Sequence, residues 1–357
     1  MNPRPAHKQR RRRRALLVFC ALLFVSGVCG LTLELAVRLS GYANQWIYDP
    51  IYAPFPEADD LPYIHKPGLE SAYARDRVRI HTDSLGNRSL VSGREYGPRN
   101  AGQLRIAVFG DSLTFGHGLP ETADTYCCQL ESLLARNLDR APQVFNFGAS
   151  AYSVREMTAS LRERALHLKP DLAFMAIIAD DLDLNRTPDL DRWGFHHNRR
   201  KSGWLDKNSR FKRLLRRAHS VYFIRDHLPR PRFGKTPPPP VEPPEESFEH
   251  IDSFMRIAKT NGIQARVVLL PSDHTKNGIL MVRGRLQAKG IPVIDLIDIA
   301  DHLTTEERMV NKYNAHPSAK VHRLIAESLA EYVLNHPSSA AQDSSSQQGP
   351  DSDSQSR

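Results

Sequence analysis

The chain has 357 residues, four cysteines and a formal net charge of +9. Seven of its positive charges lie within the first fourteen residues, which leaves the rest of the chain close to +2. This lopsided charge argues against a nucleic-acid-binding domain, and the spacing of the cysteines excludes a zinc site.

An apolar segment follows the basic N-terminus directly. Residues 15–33 are nineteen residues without a charge. As a helix they span about 28 Å, close to the roughly 30 Å of a bilayer core. Basic residues stay on the cytoplasmic side. We therefore expect a basic cytoplasmic segment, 1–14, and a single-pass signal-anchor helix, 15–37, with the rest of the chain outside.

A cleaved signal peptide is the alternative to this anchor. Its apolar region is usually about 7–15 residues long, shorter than the run found here. At the outer end of the span, Glu34 and Arg38 are one helical turn apart and are placed to pair.

The next segment, 38–103, is predicted to be an extracytoplasmic spacer and a short β segment. Residues 44–67 are rich in proline and tyrosine, have no clear period, and are expected to run over the domain surface. Residues 79–83 alternate like a short strand, and 84–87 supply turn residues.

Strands and helices alternate through the following domain, 104–336. The predicted strands are 105–109, 144–147, 172–178, 266–270 and 292–296. Helical patterns occupy 120–136, 153–168, 248–261, 276–289 and 320–333. Strands that are apolar on both faces indicate a parallel sheet covered by helices on both sides.

An insertion at about 186–246 interrupts this rhythm. It contains a basic helix, predicted over 211–228, and prolines at 237–240, which favour an extended linker. We interpret the basic helix as a solvated helix; a lid over the site and a contact with anionic lipid remain the alternatives. The tail, 337–357, has almost no apolar residues and is expected to be disordered.

A serine stands at the turn after the first strand of this domain, in the segment 110–116 (GDSLTFG). The carboxyl edge of a parallel sheet is where open α/β folds bind ligands. The N-terminus of the following helix favours a developing negative charge near Ser112. His316 lies in a loop just before the last predicted helix, and topology brings such loops to the same edge. We therefore expect Ser112 to be a nucleophile and His316 to be its base.

Three blocks of the sequence resemble the GDSL or SGNH hydrolase family. They are Gly110–Leu113, the segment 146–153 (NFGASAYS) and the segment 315–317 (AHP). Residues 34–35 and 81–88 are similar to bacterial membrane-anchored members. The resemblance covers about 75–185 and 262–333. It implies a flavodoxin-like three-layer α/β/α sandwich with a five-stranded parallel sheet, which adds to the N-terminal transmembrane helix.

The family also implies ester hydrolysis or acyl transfer through an acyl-enzyme. Ser112 would be the nucleophile, and His316 first its base and then the acid for the leaving group. The oxyanion hole would use the backbone N–H groups of Ser112 and Gly148. Asp111, from the first block, is counted with the binding residues. No cofactor and no metal are implied.

Two positions depart from the family pattern. The third block supplies an asparagine as oxyanion donor, usually followed by aspartate, but this chain has Asp180 and Asp181. The acid that normally lies two or three residues before the histidine is replaced by Asn314 and Tyr313. An ionised carboxylate only accepts hydrogen bonds. Asn314 is still counted as a catalytic residue, because its amide oxygen can accept from the imidazole N–H. It cannot stabilise the imidazolium with a full charge, and its NH₂ group would select the wrong tautomer.

Three explanations of these departures stay open. Burial can raise the pKa of Asp180 so that the protonated acid donates to the oxyanion. A carboxylate of Asp180 or Asp181 can orient His316 from another direction. Alternatively, the site is catalytically dead and retained for binding.

The functional expectation is a membrane-tethered serine esterase or O-acyl (acetyl) transferase outside the cytoplasmic membrane, periplasmic if the cell is Gram-negative. Its substrates would be acyl esters, either O-acylated glycans or lipid-like esters. A catalytically impaired domain that binds glycan or an envelope partner is the alternative, and a lipase with the basic helix as lid is a third interpretation.

Overall fold

The structure is a computed structural model. It describes residues 5–42, 50–73, 77–100, 102–139, 141–191, 194–198, 215, 217–227, 242–272, 276–311 and 314–336. The predicted linker 237–240, the tail from residue 337 and most of the basic part of the predicted helix 211–228 lie outside these residues.

Among the described residues the strands and helices follow each other in the order expected of an α/β domain with N-terminal additions. The strands are β1 (Tyr52–Pro54), β2 (Tyr63–His65), β3 (Glu70–Tyr73), β4 (Val78–His81), β5 (Leu104–Phe109), β6 (Pro142–Asn146), β7 (Leu172–Ile177), β8 (Pro188–Leu190), β9 (His196–Asn198), β10 (Gln264–Leu269), β11 (Val293–Asp295), β12 (Met309–Asn311) and β13 (Asn314–Pro317). The helices are α1 (Pro5–Leu39), α2 (Ser112–Phe115), α3 (Tyr126–Asn137), α4 (Val154–Ser160), α5 (His219–His227), α6 (Glu245–Thr260), α7 (Lys276–Ala288), α8 (Thr305–Arg308) and α9 (Ala319–Asn335).

A five-stranded parallel sheet forms the centre of the domain, in the order β11-β10-β7-β5-β6. Every residue of β5 and β7 is buried. Their hydrophobic side chains alternate between the two faces. Ala107 and Phe109 join one buried cluster, and Ile106 and Val108 join the other. This confirms the predicted parallel sheet with both faces covered.

Helices cover the two faces of the sheet. On one face lie α4, α6 and α7, with core residues such as Met157, Phe254 and Val282. On the other lie α3 and α9, with core residues such as Leu130 and Ile325. The result is the expected three-layer α/β/α sandwich. Helix α4 is shorter than predicted because its last turns change to a π-helix, Leu161–Ala165, and then to a 3-10 turn, Leu166–Leu168.

The segment before the sheet is more ordered than the surface spacer predicted over 44–67, and the short strand predicted over 79–83 is confirmed as β4. It forms two antiparallel hairpins, β1-β2 and β3-β4. Their buried side chains, among them Tyr63 and Ile80, pack with Phe115 of α2 and with Tyr152. The proline- and tyrosine-rich sequence has no clear period and therefore does not predict this order. Each hairpin is short and packs on residues distant in sequence.

Helix α1 contains the apolar segment. Arg10–Leu39 is long and apolar enough to cross a membrane, by length and composition. The expected pair at its outer end is present, since Arg38 Nε donates to Glu34 Oε1 at 2.7 Å. The last turns of α1 contact α5, the part of the predicted basic helix that the structure describes.

Candidate active site

Ser112 is the first residue of α2, directly after the carboxyl end of β5. Asp111 caps this helix, and its Oδ1 accepts the Leu113 N–H at 2.8 Å. A Cβ on Gly110 would lie 1.9 Å from Oγ1 of Thr114, so only glycine fits this turn. Gly116 closes the short helix with a φ of +79°, in the left-handed region that glycine adopts readily. These contacts hold Ser112 at the edge of the sheet.

His316 lies beside this serine although it is more than two hundred residues away in sequence. Its Nε2 is 2.9 Å from Ser112 Oγ. On the other side of the ring, Nδ1 is 2.6 Å from Oδ1 of Asn314. Strand β13 carries both Asn314 and His316, so the strand sets their spacing. The three side chains form a continuous chain of hydrogen bonds.

The tautomer of His316 follows from the orientation of the Asn314 amide. The backbone N–H of His316 donates to Asn314 Oδ1 at 3.1 Å, which fixes the oxygen, and not the NH₂ group, toward the histidine. An oxygen in that position requires a proton on Nδ1. Nε2 is then the free acceptor facing Ser112, as a general base requires.

Burial keeps the imidazole neutral. Desolvation lowers the pKa of His316 below its usual 6.5, and the Asp111 carboxylate opposes that shift. The ring of His117 lies 4.7 Å from the His316 ring, between centroids. Burial, followed by the effects of His316 and Arg88, lowers the pKa of His117 to about 3. His316 therefore faces a second neutral imidazole.

The oxyanion side of the site is less complete. The N–H of Gly148 donates to Oδ1 of Asn146 at 2.9 Å, inside the protein. The Gly148 N–H can donate to a substrate oxygen only if its bond to Asn146 breaks or becomes bifurcated. A Cβ at Gly148 would lie 2.4 Å from the Phe115 nitrogen, which explains the glycine by packing against α2. The N–H of Ser112, at the start of α2, has no partner within its helix.

The two aspartates of the third block lie in opposite environments. The Asp180 side chain lines the pocket and is 61% exposed. Asp181 is fully buried, and its Oδ2 accepts the Ile178 N–H at 2.9 Å. Burial and the nearby Asp111 raise the pKa of Asp181 well above its usual range. The burial that favours a protonated acid is therefore found at Asp181, next to the exposed Asp180.

The structure adds two arginines that sequence reasoning did not assign to the site. Arg186 forms ion pairs with Asp180 at 3.6 Å and with Asp181 at 3.5 Å, and it opposes the rise in the pKa of Asp111. Arg88 is buried and donates to the carbonyls of Phe115 and Gly116 at the end of α2. The sequence signals were weak, since Arg88 ends the segment 81–88 that resembles membrane-anchored members and Arg186 follows the third block, and neither position indicates a role.

A pocket of about 750 Å³ opens over Ser112 and His316, within the range of small-molecule sites. Its polar lining includes Asp111, Asp180, Ser272, Thr305, Arg308 and Asn314. Leu113, Ile178, Ala300, Met309, Pro317 and Val321 supply most of the apolar wall. Among the described residues no group of three histidine, cysteine, aspartate or glutamate side chains is arranged to hold a metal ion.

Comparison with known proteins identifies a family for most of this domain. The model of the GDSL-like Lipase/Acylhydrolase family matches residues 108–324, which is more than half of the chain. No significant match is found among curated proteins.

The chain is also similar, at low identity, to several solved structures. One is a putative lipolytic protein of the G-D-S-L family from Desulfitobacterium hafniense, 17% identical, with 65% of this chain and 99% of that chain covered and a TM-score of 0.39. Another is the lipase/acylhydrolase from Enterococcus faecalis, 15% identical, with 65% and 96% covered and a TM-score of 0.42. A lipolytic G-D-S-L protein from Veillonella parvula is 14% identical, with 65% and 100% covered and a TM-score of 0.39. On the match to the family model, the chain belongs to the GDSL-like lipase/acylhydrolase family.

Proposed function

We propose that the protein is a membrane-anchored serine esterase or O-acyl transferase that acts on acyl esters outside the cytoplasmic membrane. The observation that carries this proposal is the 2.9 Å contact between Ser112 Oγ and His316 Nε2 at the carboxyl edge of the sheet. Two such groups in hydrogen-bond contact, with the base held by a third, are the signature of an activated nucleophile.

The chemistry follows from the proton positions. His316 Nε2 takes the Ser112 proton as Oγ attacks the ester carbonyl, and Nδ1–H keeps its bond to Asn314 Oδ1. The tetrahedral intermediate then releases the alcohol, which takes the proton from Nε2, and leaves an acyl group on Oγ. Water ends a hydrolysis by attacking this acyl-enzyme with the same histidine as base, and a second alcohol ends a transfer.

The location is proposed from α1. Its apolar run follows the arginine block, so the positive-inside rule places the N-terminus in the cytoplasm and Ser112 outside. The substrates we propose are O-acylated glycans or lipid-like esters. The mixed lining supports this class, because Thr305 and Arg308 can bind a polar acceptor while Met309 and Val321 contact an acyl group.

A second candidate function is supported by Asp180. Its exposed carboxylate lies where the family has a neutral donor, and an ionised carboxylate repels an oxyanion. Losing one oxyanion donor typically lowers the rate by about 10²–10³. A domain that binds glycan or an envelope partner without turnover has no need of that donor.

Covalent labelling distinguishes the two candidates. The full chain in detergent is treated with a fluorophosphonate probe and assayed with a short-chain aryl ester. We expect labelling and hydrolysis in the wild type and in Ser272→Ala, whose serine lines the same pocket, and neither in Ser112→Ala. Hydrolysis at the wild-type rate in Ser112→Ala would rule out the nucleophile, and glycan binding without labelling at any pH would favour the binding domain.

A further inference from the structure

The outer end of α1 is bonded to the start of α5. The Glu34 carboxylate accepts the N–H groups of His219 at 3.0 Å and Ser220 at 2.8 Å. Arg38 donates to Glu34 and also, from Nη2, to the carbonyl of Arg217 at 3.1 Å. The first N–H groups of a helix have no partner within it and form the positive end of its dipole. Glu34 therefore caps α5 from another part of the chain.

Apolar side chains fix the same two helices together. Val37, Tyr42 and Tyr222 are all more than nine-tenths buried, and Phe223 packs against them. The rings of Tyr42 and Phe223 meet edge to face with centroids 5.3 Å apart. The position of α5 beside the end of α1 thus rests on both polar and apolar contacts.

The opposite face of α5 carries exposed apolar side chains. Val221 and Ile224 are one helical turn apart and are 39% and 41% exposed, while His219 and Tyr222 on the packed face are buried. Arg217, just before the helix, is also exposed. Scattered exposed apolar residues are ordinary on a water-facing surface. This exposed face of α5 differs from such residues because of its height relative to the membrane.

That height follows from the helix rise. Leu33 is the last residue of the uncharged run, and Glu34 lies about 1.5 Å beyond it along the axis. From Glu34 to Leu39 the helix rises about 7.5 Å, and the headgroup layer on each side of a bilayer is roughly 5–8 Å thick. The start of α5, bonded to Glu34, is therefore level with the boundary between acyl chains and headgroups.

We propose that α5 is an interfacial helix whose Val221–Ile224 face lies among the lipid headgroups of the same bilayer that α1 crosses. This inference rests on the proposed anchoring by α1. Interfacial helices insert an apolar face about 5–10 Å into the headgroup boundary and hold basic groups toward the lipid phosphates. With α5 capped by Glu34 and inserted, the chain meets the membrane at two linked helices and not at one.

Depth-dependent quenching tests the position of this face. The full chain, with Cys20 and Cys29 replaced by alanine, is reconstituted into vesicles of phosphatidylcholine and phosphatidylglycerol at 3:1. An environment-sensitive fluorophore is attached to Val221→Cys, to Ile224→Cys or to the control Met281→Cys, a 39% exposed apolar position on α7. We expect shallow spin-labelled lipids to quench positions 221 and 224 at least about twofold and to leave position 281 unchanged.

A second variant tests the cap. Glu34→Ala should reduce the quenching at 221 and 224, because α5 loses the carboxylate that fixes it. The control Glu327→Ala removes a carboxylate from an exposed i,i+4 pair with Arg323 on α9 and should change nothing.

The outcomes separate this inference from the anchor itself. If the chain resists alkaline extraction but 221 and 224 are quenched no more than 281, the inference is overturned and the anchor stands. If alkaline extraction releases the chain, anchoring fails and the inference falls with it. If replacing both Val221 and Ile224 by serine alters hydrolysis of a soluble ester without altering the quenching of a label at Arg217→Cys, α5 is a lid.

Discussion

The two sides of the pocket differ in how completely their polar groups are arranged for ester chemistry. On one side, Ser112, His316 and Asn314 form a tight chain of hydrogen bonds, with every proton in the place that base catalysis needs. On the other, Asp180 stands where the family resemblance predicts an oxyanion donor, and the Gly148 N–H is bonded to Asn146. Proton transfer is thus prepared by the fold, whereas stabilisation of the oxyanion depends on few groups.

This contrast shows why a neutral residue at 314 is compatible with a working base. The essential tasks of the third group are to select the tautomer and to orient the ring. The Asn314 oxygen does both, because the His316 backbone N–H fixes its direction. The charge of the usual aspartate is missing, and the Asp111 carboxylate favours the charged form of His316 and raises its pKa against the effect of burial.

The largest effect is expected from removing the base. His316→Ala should lower kcat by about 10³–10⁴, since residues that act as a unit lose most of their effect together. Steady-state hydrolysis of an aryl ester measures this, and His302→Ala, an exposed histidine, is the control. A loss smaller than tenfold would contradict the assignment of His316 as the base for Ser112.

Replacing Asp180 by a hydrogen-bond donor should improve stabilisation of the oxyanion. Asp180→Asn replaces a repelling carboxylate by an amide that donates to the oxyanion, so kcat should rise by about 10² near neutral pH. The exposed Asp183→Asn, three residues away, should leave the rate unchanged. A slower Asp180→Asn enzyme at every pH would give Asp180 a different role.

A smaller gain and a shift in pH dependence are expected from Asn314→Asp. A hydrogen bond to a charged group contributes about 1.5–3 kcal/mol, so kcat should increase roughly tenfold or more. Burial holds the pKa of His316 below 6.5. In the wild type the base should therefore stay unprotonated, and kcat/KM should stay constant, until the pH falls below 6.5. The added carboxylate favours the imidazolium and should move the acid limb to higher pH.

Kinetic pH profiles of this variant and of Asn137→Asp, on the exposed surface of α3, separate the local charge from a general one. An acid limb in the same position in all three proteins would show that position 314 does not act on the histidine.

The smallest effect concerns Arg186. Its guanidinium is the positive charge nearest to Asp180 and Asp181 among the ion pairs described. Without it the carboxylates would repel a developing oxyanion more strongly, so Arg186→Gln should slow hydrolysis about fivefold, on the order of 1 kcal/mol. The control Arg162→Gln removes an exposed arginine that pairs with Glu163. Faster hydrolysis by Arg186→Gln would mean that the arginine competes with the substrate for the carboxylates.

Much of the fold was predictable because its signals are local. Apolar runs of four to seven residues, alternating with helical patterns, defined the five strands of the sheet within two residues at every end. The serine could be placed at the sheet edge for the same reason, since a strand-turn-helix is read from neighbouring residues. Of the hairpins before the sheet only β4 was predictable, from the alternation over 79–83. The other three strands were not, because their burial depends on contacts with Phe115 and Tyr152, far along the chain.

The α/β alternation, the apolar N-terminal run and the residues in each family block follow from the amino-acid sequence alone, because they depend on periodicity and order along the chain. Only the tertiary structure decided the orientation of the Asn314 amide, the exposure of Asp180 against the burial of Asp181, and the capping of α5 by Glu34. Each of these depends on atoms that folding brings within about 3–4 Å of one another, and neither hydrogen-bond direction nor desolvation is encoded in the spacing of residues.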